Sequence, residues 1–254
     1  MRRTLHEWTC GIWQERDAVE NRKDPCGKRL KQTKSAMQRP RISTNLAISV
    51  DGKISPVARI PSGWTSRQDH ARLLELRENA DALLVGKGTL QSDRMTMLVP
   101  GKTIQPLRCV VSRGGNFDTA QPLFHTAGGE IHCLITGEEI QDLPEFEGLN
   151  VTIHSKSLAD FLECLYLKYA VKNLHCEGGG QIIRALAELD VIDEFHLTLA
   201  GHTLFGGFGA TTPTGLPAEF LPATRIYEAS HCEARADLGE CFLSYTRVRR
   251  DADQ

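Results

Sequence analysis

The sequence predicts an α/β domain on a largely parallel sheet, with an antiparallel hairpin at its C-terminal end. Two observations predict it. From Arg41 onward, short apolar runs of β type alternate with stretches of helical periodicity, the pattern of strands joined by crossover helices. The stretch "ATRIYEASHCEARADLGECFLSYTRVRR" then breaks the alternation and reads as two strands either side of Leu238-Gly239. With no internal repeat and no low-complexity segment, one domain over residues 39–250 is the simplest organisation, preceded by a polar extension over 1–38.

The elements follow in order. "RISTNLAISV" is the first strand, and "SRQDHARLLELREN" the first helix, with Ser66 as its cap. In that helix Leu73, Leu74 and Leu76 are expected on the face opposite Arg72 and Glu75. "ADALLVG", "LRCVVS", "EIHCLIT" and "NVTIH" read as strands. "SLADFLECLYLKYA" is a helix capped by Ser157, "VKNLHCEG" a strand, "GQIIRALAELDV" an amphipathic helix and "EFHLTLAG" a strand. The terminal pair of strands closes the sheet antiparallel.

Composition narrows the function. The chain has 254 residues, 41% hydrophobic and 24% charged, with a formal net charge of −2. That balance gives no global electrostatic reason to expect nucleic acid or an acidic membrane as a partner. No apolar run approaches the roughly 18 residues of a membrane span. Basic residues at the N-terminus lack the apolar core of a secretory signal. The eight cysteines never form C-x-x-C, and several sit inside apolar runs, as buried reduced thiols do. A cytoplasmic protein is expected. The stretch "ENRKDPCGKRLKQTKSAMQRPR" has no periodicity and reads as a solvated, poorly ordered extension or a nucleic-acid tail. Met37, just before the first strand, is read as the natural start.

Chemistry concentrates at strand exits. "STNLAISVDGKIS" places Asn45, Ser49, Asp51 and Lys53 where a strand ends, either as turn polars or as the floor of a binding site. In "ALLVGKGTL" a buried strand ends at Gly86, and Gly88-Thr89 opens a short helix. Its amides and the Thr89 hydroxyl suit a phosphate, or the glycines serve a tight turn. "HCEGGGQIIRALAEL" carries three consecutive glycines, one more than a plain turn needs, which suggests a ligand pressed against the backbone. Glu177 there could accept from a substrate N–H or be satisfied by the adjoining helix N-terminus. "HTLFGGFGATTP" is a ligand lid or a wide turn. In "VVSRGG", Ser112 and Arg113 could hold a nucleotide 2′-phosphate. In "SGWTS", Trp64 either stacks on a ring or anchors the helix start. The histidines show no metal spacing, the zinc-deaminase signature is absent, and there is no G-x-S-x-G elbow. A metal-free site fed by a bound redox cofactor fits these features better than hydrolysis.

In order, "AISVDGKIS", "SGWTS" with a helix ending in Arg77, "ADALLVGKGTLQSD", "CVVS", "HCEGGGQIIRAL", "VIDEFHLTLAG" and "TLFGG" resemble the reductase domain of riboflavin biosynthesis. That family has the dihydrofolate-reductase-like fold, and the resemblance runs from Arg41 to about Gly209. It implies a three-layer α/β/α domain with a mixed, mostly parallel sheet. It also implies an NADPH-dependent reductase of a phosphoribosylamino-pyrimidine, whose ribosyl C1′ becomes that of a ribityl chain. By the same resemblance the sugar would open to an imine and nicotinamide C4 would deliver the hydride.

The resemblance further implies cofactor contacts from Ala47, Trp64, Gly86, Thr89, Asp93, Ser112, Gly179 and Gly180. Substrate contacts would come from Ser62, Arg77, Met97 and Glu177, with Arg77 gripping the substrate phosphate. Asp51 and Lys53 would lie at the reacting end. It implies a homodimer, and a separate deaminase for the preceding step. Two departures stand out. After "QSD" the chain reads "RMTMLVPGK", without the usual Asp-Pro pair and without a phosphate-binding Arg, for which Arg94 or Lys102 could compensate. Gly201 replaces a usual proline. The altered segment keeps two other readings open: a reductase of another heterocycle such as a pterin, or a nucleotide-binding module without catalysis.

Overall fold

β1 (Arg41–Ser49) opens the described chain, and α1 (Arg67–Glu78), β2 (Ala82–Gly86), α2 (Lys87–Asp93) and β3 (Leu107–Ser112) follow it. Next come α3 (Pro122–His125), β4 (Ile131–Ile135), β5 (Val151–Ser155), α4 (Leu158–Lys168) and β6 (Asn173–Cys176). α5 (Gly180–Glu188), β7 (Glu194–Ala200), β8 (Tyr227–Arg235) and β9 (Glu240–Arg247) complete the order. The computed structural model describes residues 37–57, 63–137, 146, 148–207, 209–215 and 227–248. Apart from Met37 and Gln38, the expected polar extension lies outside the described residues. Among those residues, no helix is long and apolar enough to cross a membrane.

The described strands form one sheet in the order β5-β4-β3-β2-β6-β1-β7-β9-β8. β1 through β7 pair in parallel, and β9 joins β7 and β8 antiparallel, so the expected mixed sheet and terminal hairpin are both present. β2 reads as an unbroken apolar run because both its faces are covered: Ala82, Leu83, Leu84 and Val85 are fully buried. β6 inserts between β2 and β1 although it follows both in sequence. Winding therefore reverses around these three strands, and their carboxyl ends open onto one crevice.

The two faces of the β1–β7–β9 region differ in chemistry. On one face Leu46, Ile48, Phe195, Leu197 and Tyr245 line an apolar cavity together with Ile183 and Ala187 of α5. α5 fits that face because Ile182, Ile183, Leu186 and Ala187 are all on its buried side. The other face carries Asn45, Ala47, His196, Thr198 and Ser244 in register, and α1 covers it. Helices thus lie on both sides of the sheet, in three layers.

α1 docks differently from its expected pattern. Its leucines are only half-buried, and Arg72 turns toward the sheet instead of away from it. The Arg72 guanidinium donates to the carbonyls of Leu197 (3.0 Å) and Leu243 (2.6 Å) and to the Ser244 hydroxyl. Thr198 donates to buried Asp69 at 2.6 Å. The sheet surface beneath α1 is polar, so hydrogen bonds dock the helix where an apolar stripe would leave buried polar groups unpaired. Ser66 caps α1 by accepting from Asp69 N, and Ser157 caps α4 by accepting from Asp160 N.

Beyond β3, a buried Arg108 organises the irregular chain. Its guanidinium donates to the carbonyls of Gly129, Thr96, Leu123 and Thr126. α3, which has no counterpart in the sequence reading, starts at Pro122 and buries Leu123 and Phe124.

Two histidines are held neutral inside this fold. His175 accompanies Ser43 at 2.8 Å, and burial above all depresses it to about 3. His154 lies 3.0 Å from His132, and burial again leads in lowering it to about 4. The ordinary value is 6.5, so the unfolded chain takes up protons that the folded one refuses as pH falls from there toward 4. Stability contributed by these groups is complete above that window and is lost within it. The slope approaches about 1.4 kcal/mol per pH unit for each proton. The urea midpoint is expected to fall between pH 7 and pH 5. A midpoint constant over that interval would contradict this reading of the two histidines.

Candidate active site

The carboxyl ends of β2 and β6 stand side by side, each followed directly by a helix. Glu177 N donates to Leu84 O at 3.0 Å, extending the β2–β6 ladder past its last paired residues. Neither Gly86, which begins α2, nor Gly179, which begins α5, receives a side-chain cap. Two helix starts with backbone donors, neither capped by its own N-cap side chain, thus meet at one place.

Protein packing accounts for the three glycines between β6 and α5. Gly178 and Gly179 have φ of +92° and +90°, which disfavour any side chain. A Cβ at Gly178 would stand 2.8 Å from Leu46 Cδ2, and one at Gly179 2.7 Å from Thr89 Oγ1. At Gly180 a Cβ would meet Thr212 O at 2.7 Å. The turn therefore seats β1, α2 and the 203–215 loop against one another. The third glycine has a protein neighbour of its own, because Thr212 O leaves no room for a side chain at Gly180.

The expected site residues fall into two groups. Gly86, Thr89, Glu177, Gly179 and Gly180 gather at the β2–β6 exit. Arg77 reaches the same place from the end of α1, where its Nε and Nη2 donate to the two Glu177 carboxylate oxygens at 2.5 and 2.6 Å. Nη1 donates to Leu98 O. Both side chains are nearly buried, at 10% and 3% exposure. The expected phosphate grip thus meets a guanidinium whose bidentate edge Glu177 already fills.

The second group lies at the β1 exit. Ser49 N donates to Lys53 O, and Lys53 N donates to Ser49 Oγ, so the Asp-Gly turn closes on itself. Asp51 accepts from the Ser49 hydroxyl and from the amides of Phe205 and Gly206. Phe205 in turn stands edge-on to Trp64, with ring centroids 5.0 Å apart. Lys53 is half-buried beside them.

The remaining expectations are placed separately. Ala47 is paired with Thr198 under α1. Ser112 ends β3, buried, with its hydroxyl accepting from Gly115 N. Asp93 ends α2, at the opposite end from Gly86. Met97 is a correction: it is fully buried in the core with Leu83, Val85 and Leu90, so its side chain packs the domain and does not face a substrate. Ser62 lies outside the described residues.

Sequence reasoning missed Glu240. Its buried carboxylate accepts from Ser66 N (2.8 Å) and the Ser66 hydroxyl (2.5 Å), fixing the start of α1 behind Trp64. A lone glutamate opening a strand carries no local signal of a partner 174 residues away.

The pattern of the family described as the RibD C-terminal domain matches residues 40–236. A 2,5-diamino-6-ribosylamino-4(3H)-pyrimidinone 5′-phosphate reductase of Archaeoglobus fulgidus is 29% identical over 228 residues, covering 84% of this chain and all of that one. Among solved structures, Acinetobacter baumannii RibD in one form superposes with a TM-score of 0.68 at 17% identity over 83% of this chain. This chain spans 58% of that longer protein. The Saccharomyces riboflavin biosynthesis reductase Rib7 superposes at 0.60 with 16% identity, over 85% of this chain and 93% of its own. These two likenesses bear on the fold.

The Arg77–Glu177 pair yields a direct test. Truncating Arg77→Ala leaves a buried carboxylate without its cation, which costs about 3–5 kcal/mol. Urea denaturation should show that loss, and the apolar double variant Arg77→Met/Glu177→Leu should lose clearly less. Equal losses in both would mean that the charges are not coupled.

Proposed function

The chain belongs to the family of the RibD C-terminal domain, and on that premise we propose that it is an NADPH-dependent reductase of riboflavin biosynthesis. Its substrate is a phosphoribosylamino-pyrimidine, either 5-amino-6-(5-phosphoribosylamino)uracil or the diamino-pyrimidinone equivalent, and its product the ribitylamino compound. The observation that carries the reading is the pair of uncapped helix starts at the carboxyl ends of β2 and β6, with the Thr89 hydroxyl against Gly179.

That donor set fits a dinucleotide. Backbone amides at the start of α5 and the Thr89 hydroxyl offer hydrogen bonds to a pyrophosphate, and no side-chain carboxylate caps either helix start to repel it. Ser112 and Arg113 at the end of β3 suit the 2′-phosphate that separates NADPH from NADH. Ala47, Trp64, Gly86, Asp93 and Gly180 complete the cofactor contacts in this reading. When bound, the nicotinamide supplies the hydride.

The chain's own residues then orient the sugar. Glu177, oriented by Arg77, accepts from an N–H of the pyrimidine or its exocyclic amine. Lys53 at the β1 exit faces the sugar end, with Ser62 nearby in sequence to Trp64. Arg77 acts through Glu177, which leaves the substrate phosphate to Arg94 or Lys102 in the altered segment.

In this reading the enzyme works in the cytoplasm as a homodimer. An apolar cavity of about 420 Å³ lined by Leu46, Ile48, Phe195, Leu197, Tyr227 and Tyr245 supports self-association through that face. A pterin is the second reading, favoured only by the missing arginine after Asp93. NADPH oxidation measured with the phosphoribosylamino-pyrimidine and with dihydrofolate, side by side, separates the two. Turnover of the pyrimidine alone is expected, and turnover of dihydrofolate alone would overturn the assignment.

A further inference from the structure

We propose that Asp51 is a positioning residue: it holds the Phe205–Gly206 backbone so that the Phe205 ring stands against Trp64 and sets one wall of the site at the exit of β1. An Asp-Gly pair after a strand ordinarily needs no explanation beyond the turn it makes. Here the carboxylate reaches much further along the chain. Oδ2 accepts from Gly206 N at 2.7 Å and Oδ1 from Phe205 N at 3.3 Å, across 155 and 154 residues. Oδ1 also accepts from the Ser49 hydroxyl at 2.5 Å. Two successive amides converging on one carboxylate form a small anion nest. Gly206 and Gly207, at φ of +64° and +67°, let the chain turn away at once.

Among the described residues, backbone hydrogen bonds join the two loops as well. Val50 N donates to Thr203 O and Ile54 N to Thr211 O, and Ser55 bridges Thr211. Farther along, Thr212 and Gly215 pack against Gly180 at the start of α5. The glycine-rich segment therefore spans from the β1 exit to the β6–α5 turn. Asp51 is the charged side chain that fastens it beside the aromatic pair. The Phe205 and Trp64 rings meet at 84°, the edge-to-face arrangement in which one ring fixes the other. With three donors around it, first among them Ser49, the carboxyl is held below its ordinary range. It stays an acceptor at neutral pH and does not supply the proton of the reduction.

The inference rests on the proposed function only for the activity arm of its test. Trp8→Phe/Trp13→Phe leaves Trp64 as the sole tryptophan of the full chain, and acrylamide quenching then reports its exposure. In that background Asp51→Ala should raise the quenching constant about two-fold. It should also raise the KM for the phosphoribosylamino-pyrimidine roughly ten-fold and weaken NADPH binding through the loosened Trp64, as expected for loss of charge-assisted bonds that position a wall. Asp51→Asn keeps one acceptor oxygen and should fall between. Phe205→Ala should reproduce the quenching change, and adding Asp51→Ala to it should add nothing. Unchanged quenching in folded Asp51→Ala, or additive effects of the two substitutions, would overturn the proposal. If Asp51→Ala does not fold, raised quenching in Phe205→Ala together with wild-type quenching in Asp51→Asn overturns it equally. A wild-type protein that turns over no pyrimidine, but whose quenching follows the expected pattern, supports the positioning role and removes the functional assignment instead.

Discussion

The buried ion pair between Arg77 and Glu177 is the constraint around which the rest of the molecule is arranged. Taking two full charges out of water costs several kcal/mol per ion unless geometry and further hydrogen bonds return it. Here the fork of the guanidinium meets both carboxylate oxygens, and Leu98 O takes a further donor. The pair therefore fixes three things together: the last turn of α1, the exit of β6, and the start of the irregular chain after α2. A helix pinned so firmly at one end must lie in one direction across the sheet. Glu240 fixes its other end through Ser66.

That path explains the division between the faces of the sheet. α1 crosses strands that carry asparagine, threonine, histidine and serine, so it docks through Arg72 and Asp69. α5 turns its aliphatic stripe to a face of leucine, isoleucine and phenylalanine that lines the apolar cavity. The polar side holds position by directional bonds, which specify a single alignment, and the apolar side supplies area. Between them, at the carboxyl ends of β1, β2 and β6, the backbone has few side chains to bury and many donors to offer. Winding reversal at β6 brings those ends together, and the glycines of the β6–α5 turn let α2, β1 and the 203–215 loop close in around them.

Much of this was legible in the sequence. The alternation of runs marks every parallel strand, and β2 is conspicuous because four buried apolar residues leave no polar face. Ser66 and Ser157 announce their helices by the chemistry of capping. What stayed hidden depends on partners far along the chain. Arg72 looks like a solvent-facing residue until the polarity of the sheet beneath it is known. Met97 looks available for a ligand until the core around Leu83 and Leu90 closes over it. The third glycine of "EGGG" suggests a ligand in sequence, and its actual neighbours, Thr212 and Gly215, lie on a loop no local pattern connects to it. Glu177 and Arg77 each stood out in the sequence, but not as partners of one another, because pairing across 100 residues is set by the topology.

The proposed dinucleotide cradle lies at the joined starts of α2 and α5. A crystal structure of the protein grown with NADPH tests that most directly. The account predicts the pyrophosphate against the amides of the α5 start and the Thr89 hydroxyl, with the nicotinamide toward Lys53 and the β1 exit. Density for the dinucleotide in the apolar cavity between α5 and β7, with the two helix starts bare, would contradict it.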